Sequence, residues 1–376
     1  MLLTIVIFII TLLVLVVIHE LGHFLMAKKF GIKVEEFGFG IPPRAWGKKI
    51  GETLVSINWL PFGGFVRLLG EDEVDKQVLD NKRSFAAQNV WKRIVVVIAG
   101  VVMNLLLAWL IFYTVLFFRG FKTQFPLLLD YQFTGVTQQN QAIVLISDVV
   151  KNSPAEVAGI KSGDRVMSIN GESIDSSATL INKTKELAGE EVVLVLANPT
   201  GVNQRLVKLT PRKNPPTGQG ALGVAVGQLD IANIAYETPA QKLLAGPLHS
   251  INVIGYSGKV LGSLIGQSFK TRQFEPVSES LSGPVGITSA VNTILSEQNP
   301  LLPYLDFVGL LSLNLAFLNV LPFPALDGGR LFFLFFEAAT RKKVHAGVEK
   351  WIHTAGMAIL LLLMALVTFS DLHKIF

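Results

Sequence analysis

Four stretches of this 376-residue chain run without a charged side chain for long enough to cross a hydrocarbon core of ~30 Å. They are Met1 to Ile18, Ile94 to Phe118, Phe307 to Leu326 and Ile352 to Ser370. No other feature narrows the fold as much, because backbone in lipid must satisfy its own hydrogen bonds, which helices and closed barrels alone achieve. Composition agrees: half of the residues are hydrophobic and 16% charged, against about 25% charged in soluble domains. The first stretch has no basic residue ahead of it and runs directly into His19-Glu20. It therefore reads as a retained span and not as a cleaved signal peptide.

Basic residues cluster between the first two spans, from Lys28 and Lys29 to Lys92 and Arg93, and again at Arg330, Arg341, Lys342 and Lys343 between the last two. The positive-inside bias puts both groups in the cytoplasm. Both termini and the segment from about Arg119 to Pro303 then lie outside. Cysteine is absent, so a metal must be held by His, Asp or Glu. No basic stripe interleaved with aromatics points to nucleic acid.

Within the outer segment, Ala142 to Val150 reads as a strand and Ser153-Pro154-Ala155-Glu156 as a capped short helix. Asp164 to Ile169 reads as a further strand, closed by the turn Asn170-Gly171. A helix is expected over Ser177 to Ala188, and strands over Glu191 to Ala197 and Gln204 to Leu209. The runs Asn152-Ser153-Pro154-Ala155, Ala158-Gly159-Ile160-Lys161-Ser162-Gly163-Asp164 and Ile169-Asn170-Gly171 together resemble a bacterial PDZ domain over about 125–213. That resemblance implies an extracytoplasmic module able to take a peptide ligand by strand addition. Residues 214–303 read as a Pro/Gly-rich linker and an amphipathic membrane-surface segment, with its apolar part at Leu243 to Phe269, for which a fifth span is the alternative.

His19-Glu20-Leu21-Gly22-His23 is a complete H-E-x-x-H. Spacing of four on a helix sets both imidazoles on one face, where they can ligate one Zn²⁺, with Glu20 beside it as a base. A catalytic zinc takes a third protein ligand, and no third histidine follows at metzincin spacing. Asp327, in Asn319-Val320-Leu321-Pro322-Phe323-Pro324-Ala325-Leu326-Asp327-Gly328-Gly329, is the candidate. Taken alone it reads better as the N-cap of a helix over Gly329 to Ala338; the pairing with the H-E-x-x-H reverses that preference. His249, His345, His353 and His373 have no partner at ligand spacing and read as loop or interfacial residues.

The two motifs, with a PDZ-like unit between them, resemble the site-2 protease family of intramembrane zinc metalloproteases, in the bacterial group that includes the regulator of sigma-E protease. The resemblance implies His19, His23 and Asp327 as zinc ligands, Glu20 as general base, and Asn319, Pro322 and Pro324 as a substrate-handling stretch. Gly38-Phe39-Gly40 through Pro61-Phe62-Gly63-Gly64-Phe65-Val66, with a turn at Gly51-Glu52, resembles the family's membrane-re-entrant β-loop. By that likeness Gly63, Gly64 and Phe65 offer a sheet edge to unwound substrate. Gly100 to Asn104 resembles the family's Gly-x-x-x-Asn signature, and its plain reading is close helix packing.

The fold expected is thus a polytopic α-helical membrane protein with about four transmembrane helices, a membrane-associated β-loop and an extracytoplasmic α+β PDZ domain. Its parts are 1–118, 125–213, 214–303 and 304–376. The function implied is regulated cleavage of single-span membrane proteins, anti-sigma factors or signal-peptide remnants, in the bacterial inner membrane after a first extracytoplasmic cut. The competing reading is a non-catalytic PDZ-bearing scaffold or chaperone, against which the intact Glu20 argues.

Overall fold

The computed structural model describes residues 2–71, 78, 81–198, 201, 203–272 and 283–375. The chain divides into two units, Met1–Phe118 with Leu244–Phe376, and Arg119–Leu243. Among the described residues, four helices of the first unit are long and apolar enough to cross a membrane.

In that unit, α1 (Leu2–Lys29) is one uninterrupted helix, about 42 Å long at the usual rise. The H-E-x-x-H therefore lies within the helix, not at its end. No proline intervenes before Lys29, and Gly22 marks the point where α1 meets its neighbour α2 (Val90–Phe118). A Cβ on Gly22 would collide with the carbonyl of Ala99.

Between these helices, β1 (Val34–Ile50) and β2 (Thr53–Leu68) turn at Gly51-Glu52 as the sequence predicts. The pairing is more elaborate than a hairpin. Residues 36–39 pair on one side with 64–67 and on the other with 54–57, while 44–50 pair with 53–58. Glu52 at the turn accepts hydrogen bonds from Lys28 (2.8 Å) and Arg83 (2.6 Å). Ile41, Trp46, Trp59 and Leu60 are exposed along this sheet.

The second unit holds β3 (Lys122–Leu127), β4 (Thr137–Val149), α3 (Pro154–Val157), β5 (Arg165–Ile169), β6 (Glu172–Ser173) and α4 (Ser177–Glu186). Then follow β7 (Val192–Ala197), β8 (Arg205–Leu209), β9 (Val224–Ala235) and the short α5 (Pro239–Leu243). The strands form one antiparallel sheet in the order β3-β9-β4-β5-β7-β8, with β6 beside β5. Val144, Ile146, Val166, Ile169, Leu180, Leu194 and Leu196 make its core. Ser153 caps α3 by accepting the Glu156 N–H, and Asn170 and Gly171 both take positive φ at the predicted turn. The segment 214–303 differs from expectation: it contains β9, which pairs with β4 along nearly its whole length.

Returning to the first unit, α6 (Ala245–Thr271) is a single helix. It corresponds to the expected surface segment, yet it packs on α2. Gly246 abuts the Trp109 backbone, and buried His249 meets the Phe112 ring edge-on at 4.6 Å. His249 is thus packed against protein. Residues 273–282 of that segment lie outside the described residues. α7 (Pro284–Leu295) follows, then α8 (Leu301–Val320), α9 (Asp327–Thr340) and α10 (Ala346–Ile375). The third span therefore starts earlier than expected and stops at Val320, ahead of Pro322 and Pro324, which cannot donate to a helix. Ser312 on α8 donates to the Asn104 carbonyl at 2.8 Å, tying α8 to α2.

Candidate metal centre

The i, i+4 spacing on α1 turns His19 and His23 toward α2, with their Nε2 atoms 3.1 Å apart. Asp327 reaches the same place from 308 residues away: its Oδ2 lies 2.8 Å from His19 Nε2 and 3.3 Å from His23 Nε2. Asp327 is the first residue of α9, and Leu326 occupies the cap position. The N-cap reading of Asp327 thus gives way to a carboxylate aimed across at the two imidazoles.

The surroundings decide which nitrogen of each ring faces the cluster. His23 Nδ1 lies 2.9 Å from the Val96 carbonyl, which can only accept, so Nδ1 carries a proton and the neutral ring presents its lone pair at Nε2. For His19 the neighbour is Asn104, whose Nδ2 is 3.5 Å from Nδ1 while its buried Oδ1 has no hydrogen-bond partner among the described residues. Amide orientation is an assignment. With the amide turned over, Oδ1 accepts the His19 Nδ1–H, and the second Nε2 lone pair also faces inward.

With both rings neutral, three electron pairs converge at 2.8, 3.1 and 3.3 Å, an arrangement that a shared proton or a metal cation relieves. A tetrahedral zinc with bonds of 2.0–2.1 Å sets its ligands about 3.3 Å apart. Gly100 of α2 keeps one side open, since a Cβ there would lie 2.7 Å from His19 Nε2 and closer still to His23 Nε2. The donor set and the cradle both fit Zn²⁺.

Glu20 has a carboxylate oxygen within 4.8 Å of the imidazole nitrogens of His19 and His23. A cavity of about 200 Å³ opens beside it, lined by Val16, His19, Glu20, Asn104, Leu315, Asn319 and residues 325–327. Asn319 is therefore brought to the site. Pro322 and Pro324 do not line the cavity; Pro324 packs against Gly356 of α10. Gly64 lies against Glu20, where an added Cβ would sit 3.7 Å from its Cγ. Gly63 adopts a φ of 83°, while Phe65 turns to cover Gly38 and sits under Arg67 at 5.7 Å.

The model of peptidase family M50 matches residues 7–363. The chain belongs to peptidase family M50. Among M50 relatives, a Clostridium perfringens protein that carries the name zinc metalloprotease is 33% identical over 95% of each chain. The zinc metalloprotease RasP of Geobacillus kaustophilus is 28% identical over 96% of each. The regulator of sigma-W protease RasP of Bacillus subtilis is 27% identical over 99% of each. A PDZ domain of an SdrC-like protein from Listeria monocytogenes aligns with 26% of this chain and 93% of that chain, at 17% identity and a TM-score of 0.20. At that score no shared fold is read. As an M50 member the protein is a membrane zinc metalloprotease.

Two residues near this M50 centre have contacts that the sequence does not announce. Asn104 reads from sequence as part of a packing motif, although a buried amide in a span is itself a signal. His353, read as a loop or interfacial residue, instead accepts the Ala325 N–H at 2.9 Å. A backbone partner leaves no spacing pattern to recognise.

Proposed function

We propose that this M50 peptidase cuts single-span membrane proteins within the bilayer, with His19, His23 and Asp327 holding Zn²⁺ and Glu20 as general base. The observation that carries the reading is the convergence of two histidines and a distant aspartate beside a glutamate-lined cavity. When bound, zinc supplies Lewis acidity, polarising a peptide carbonyl and acidifying water. Glu20 takes the proton of the attacking water on its carboxylate and returns it to the departing amide nitrogen. Asn319, with a donor and an acceptor on one amide, holds the substrate backbone at the mouth of the cavity.

A peptide must be extended to be cut, and Gly64 brings β2 backbone against Glu20. Residues 63–65 therefore offer an edge for an unwound substrate strand. The basic segments face the cytoplasm, and the sheet unit, read as a PDZ module that selects substrates, faces outward. The RasP relative's name, regulator of sigma-W protease, favours an anti-sigma factor as substrate, and signal-peptide remnants share the same single-span chemistry.

Purified Glu20→Gln protein should keep its zinc while cleavage of a single-span substrate in detergent falls by roughly 10²–10⁴-fold. Undiminished cleavage by that variant overturns the assignment of the base.

A further inference from the structure

α10 is the least enclosed of the four spans, with 6% of its apolar window buried, yet it carries a histidine. His353 Nδ1 accepts the Ala325 N–H at 2.9 Å. An amide can only donate, so His353 is neutral with its proton on Nε2. Ala325 sits in the left-handed region at φ 79°, a conformation resisted by a residue with a Cβ and no polar side chain to support it.

One turn along α10, Gly356 leaves room for the preceding residue. A Cβ there would lie 2.6 Å from the Pro324 carbonyl oxygen and 2.7 Å from its carbon. Phe333 of α9 closes the other side, its ring edge-to-face with His353 at 5.8 Å. The same face of α10 thus grips residues 324 and 325 with a hydrogen-bond acceptor and a notch. The turn beyond leaves no slack: Leu326 N–H donates to Phe323 O at 3.2 Å and Gly329 N–H to Leu326 O at 3.0 Å. Two residues after Ala325 comes Asp327, whose carboxylate meets His19 and His23.

We propose that His353, backed by Gly356, is a positioning residue for the metal centre: it holds Ala325 in its left-handed conformation and thereby sets where the Asp327 carboxylate points. The inference rests on the reading of Asp327 as a zinc ligand. An ionisable side chain within a span is expensive and is functional by default. Removing its acceptor leaves the Ala325 amide unsatisfied, and the loop relaxes toward a conformation that suits alanine, drawing Asp327 off its target.

The test is the zinc dissociation constant of the full chain in detergent, measured by competition with a colorimetric chelator. H353L should weaken zinc binding by roughly 10- to 100-fold, the effect of losing an outer support of a metal ligand. H353N, whose side-chain oxygen takes the place of Nδ1, should stay near wild type. A325G in the H353L background should recover most of the loss, because glycine takes positive φ freely. Wild-type affinity in H353L, while D327A loses zinc, overturns the inference alone. Full affinity in D327A overturns the ligand reading beneath it. Absence of recovery by A325G reduces His353 to a structural role and overturns the proposal. Should H353L yield no folded protein, H353N and H353Q carry the comparison. The glutamine oxygen does not reach the Nδ1 position, so equal affinity in those two also overturns it.

Discussion

Both units of the molecule bury an apolar core, but the membrane unit buries many more polar side chains beside it. In residues 119–243 the core is apolar: Val144, Ile146, Leu180, Val192, Leu194 and Leu196 are each almost wholly enclosed, and the burial of β7 alternates along most of the strand. In the membrane unit the buried set includes Thr4, His19, Arg93, Asn104, His249, Asn252, Ser312 and Asp371, while Leu110, Phe332 and Leu362 are exposed. The difference follows from the solvent. Water drives apolar groups inward, whereas lipid is as apolar as leucine and leaves close packing and polar contacts to hold helices together.

The sharpest test of that contrast is a buried ion pair. Arg93 of α2 pairs with Glu337 of α9, and both side chains are largely enclosed. Arg93→Ala strands a buried carboxylate and should destabilise the membrane unit by about 3–5 kcal/mol, read by unfolding in mixed micelles. A loss under about 1 kcal/mol would mean that Glu337 is solvated and the pair peripheral. Leu194→Ala in the sheet core should cost about 2–4 kcal/mol through lost transfer energy and a cavity. Zinc content should be unchanged, because His19, His23 and Asp327 all lie in the other unit; a parallel loss of zinc would show that the substitution disturbs more than the sheet core. Leu362→Ala, at 61% exposure on α10, should change stability by no more than about 0.5 kcal/mol, since an exposed side chain leaves no cavity. A large effect there would show that α10 packs against protein along that face.

The same contrast explains which features the sequence disclosed. Local rules found α1 and its i, i+4 histidines, the Ser153 cap, the Asn170-Gly171 turn and the strands β5, β7 and β8, because each depends on residues a few positions apart. β9 escaped. It follows the Pro/Gly-rich stretch at 211–220, is interrupted by Gly227 and Asp230, and owes its place to β4, some eighty residues earlier. The multiple pairings of β1 and β2 escaped likewise, since bulges reset their register. Asp327 was legible only through its motif. Its meeting with His19 depends on α2, with Gly22 and Gly100 letting α1 approach, and no spacing rule spans 308 residues. The contact of His353 is not legible in the sequence because its partner is a backbone amide in a loop whose conformation the sequence does not announce.

The central claim is that two histidines of one helix and an aspartate from the far end of the chain form a single zinc site. Zinc content per chain, measured by plasma mass spectrometry after dialysis against a weak chelator, tests it most directly on wild type, His19→Ala, His23→Ala and Asp327→Ala. One zinc in wild type and a loss in all three variants, with the sheet unit still folded by circular dichroism, is the expected result. Full zinc content in Asp327→Ala would contradict it.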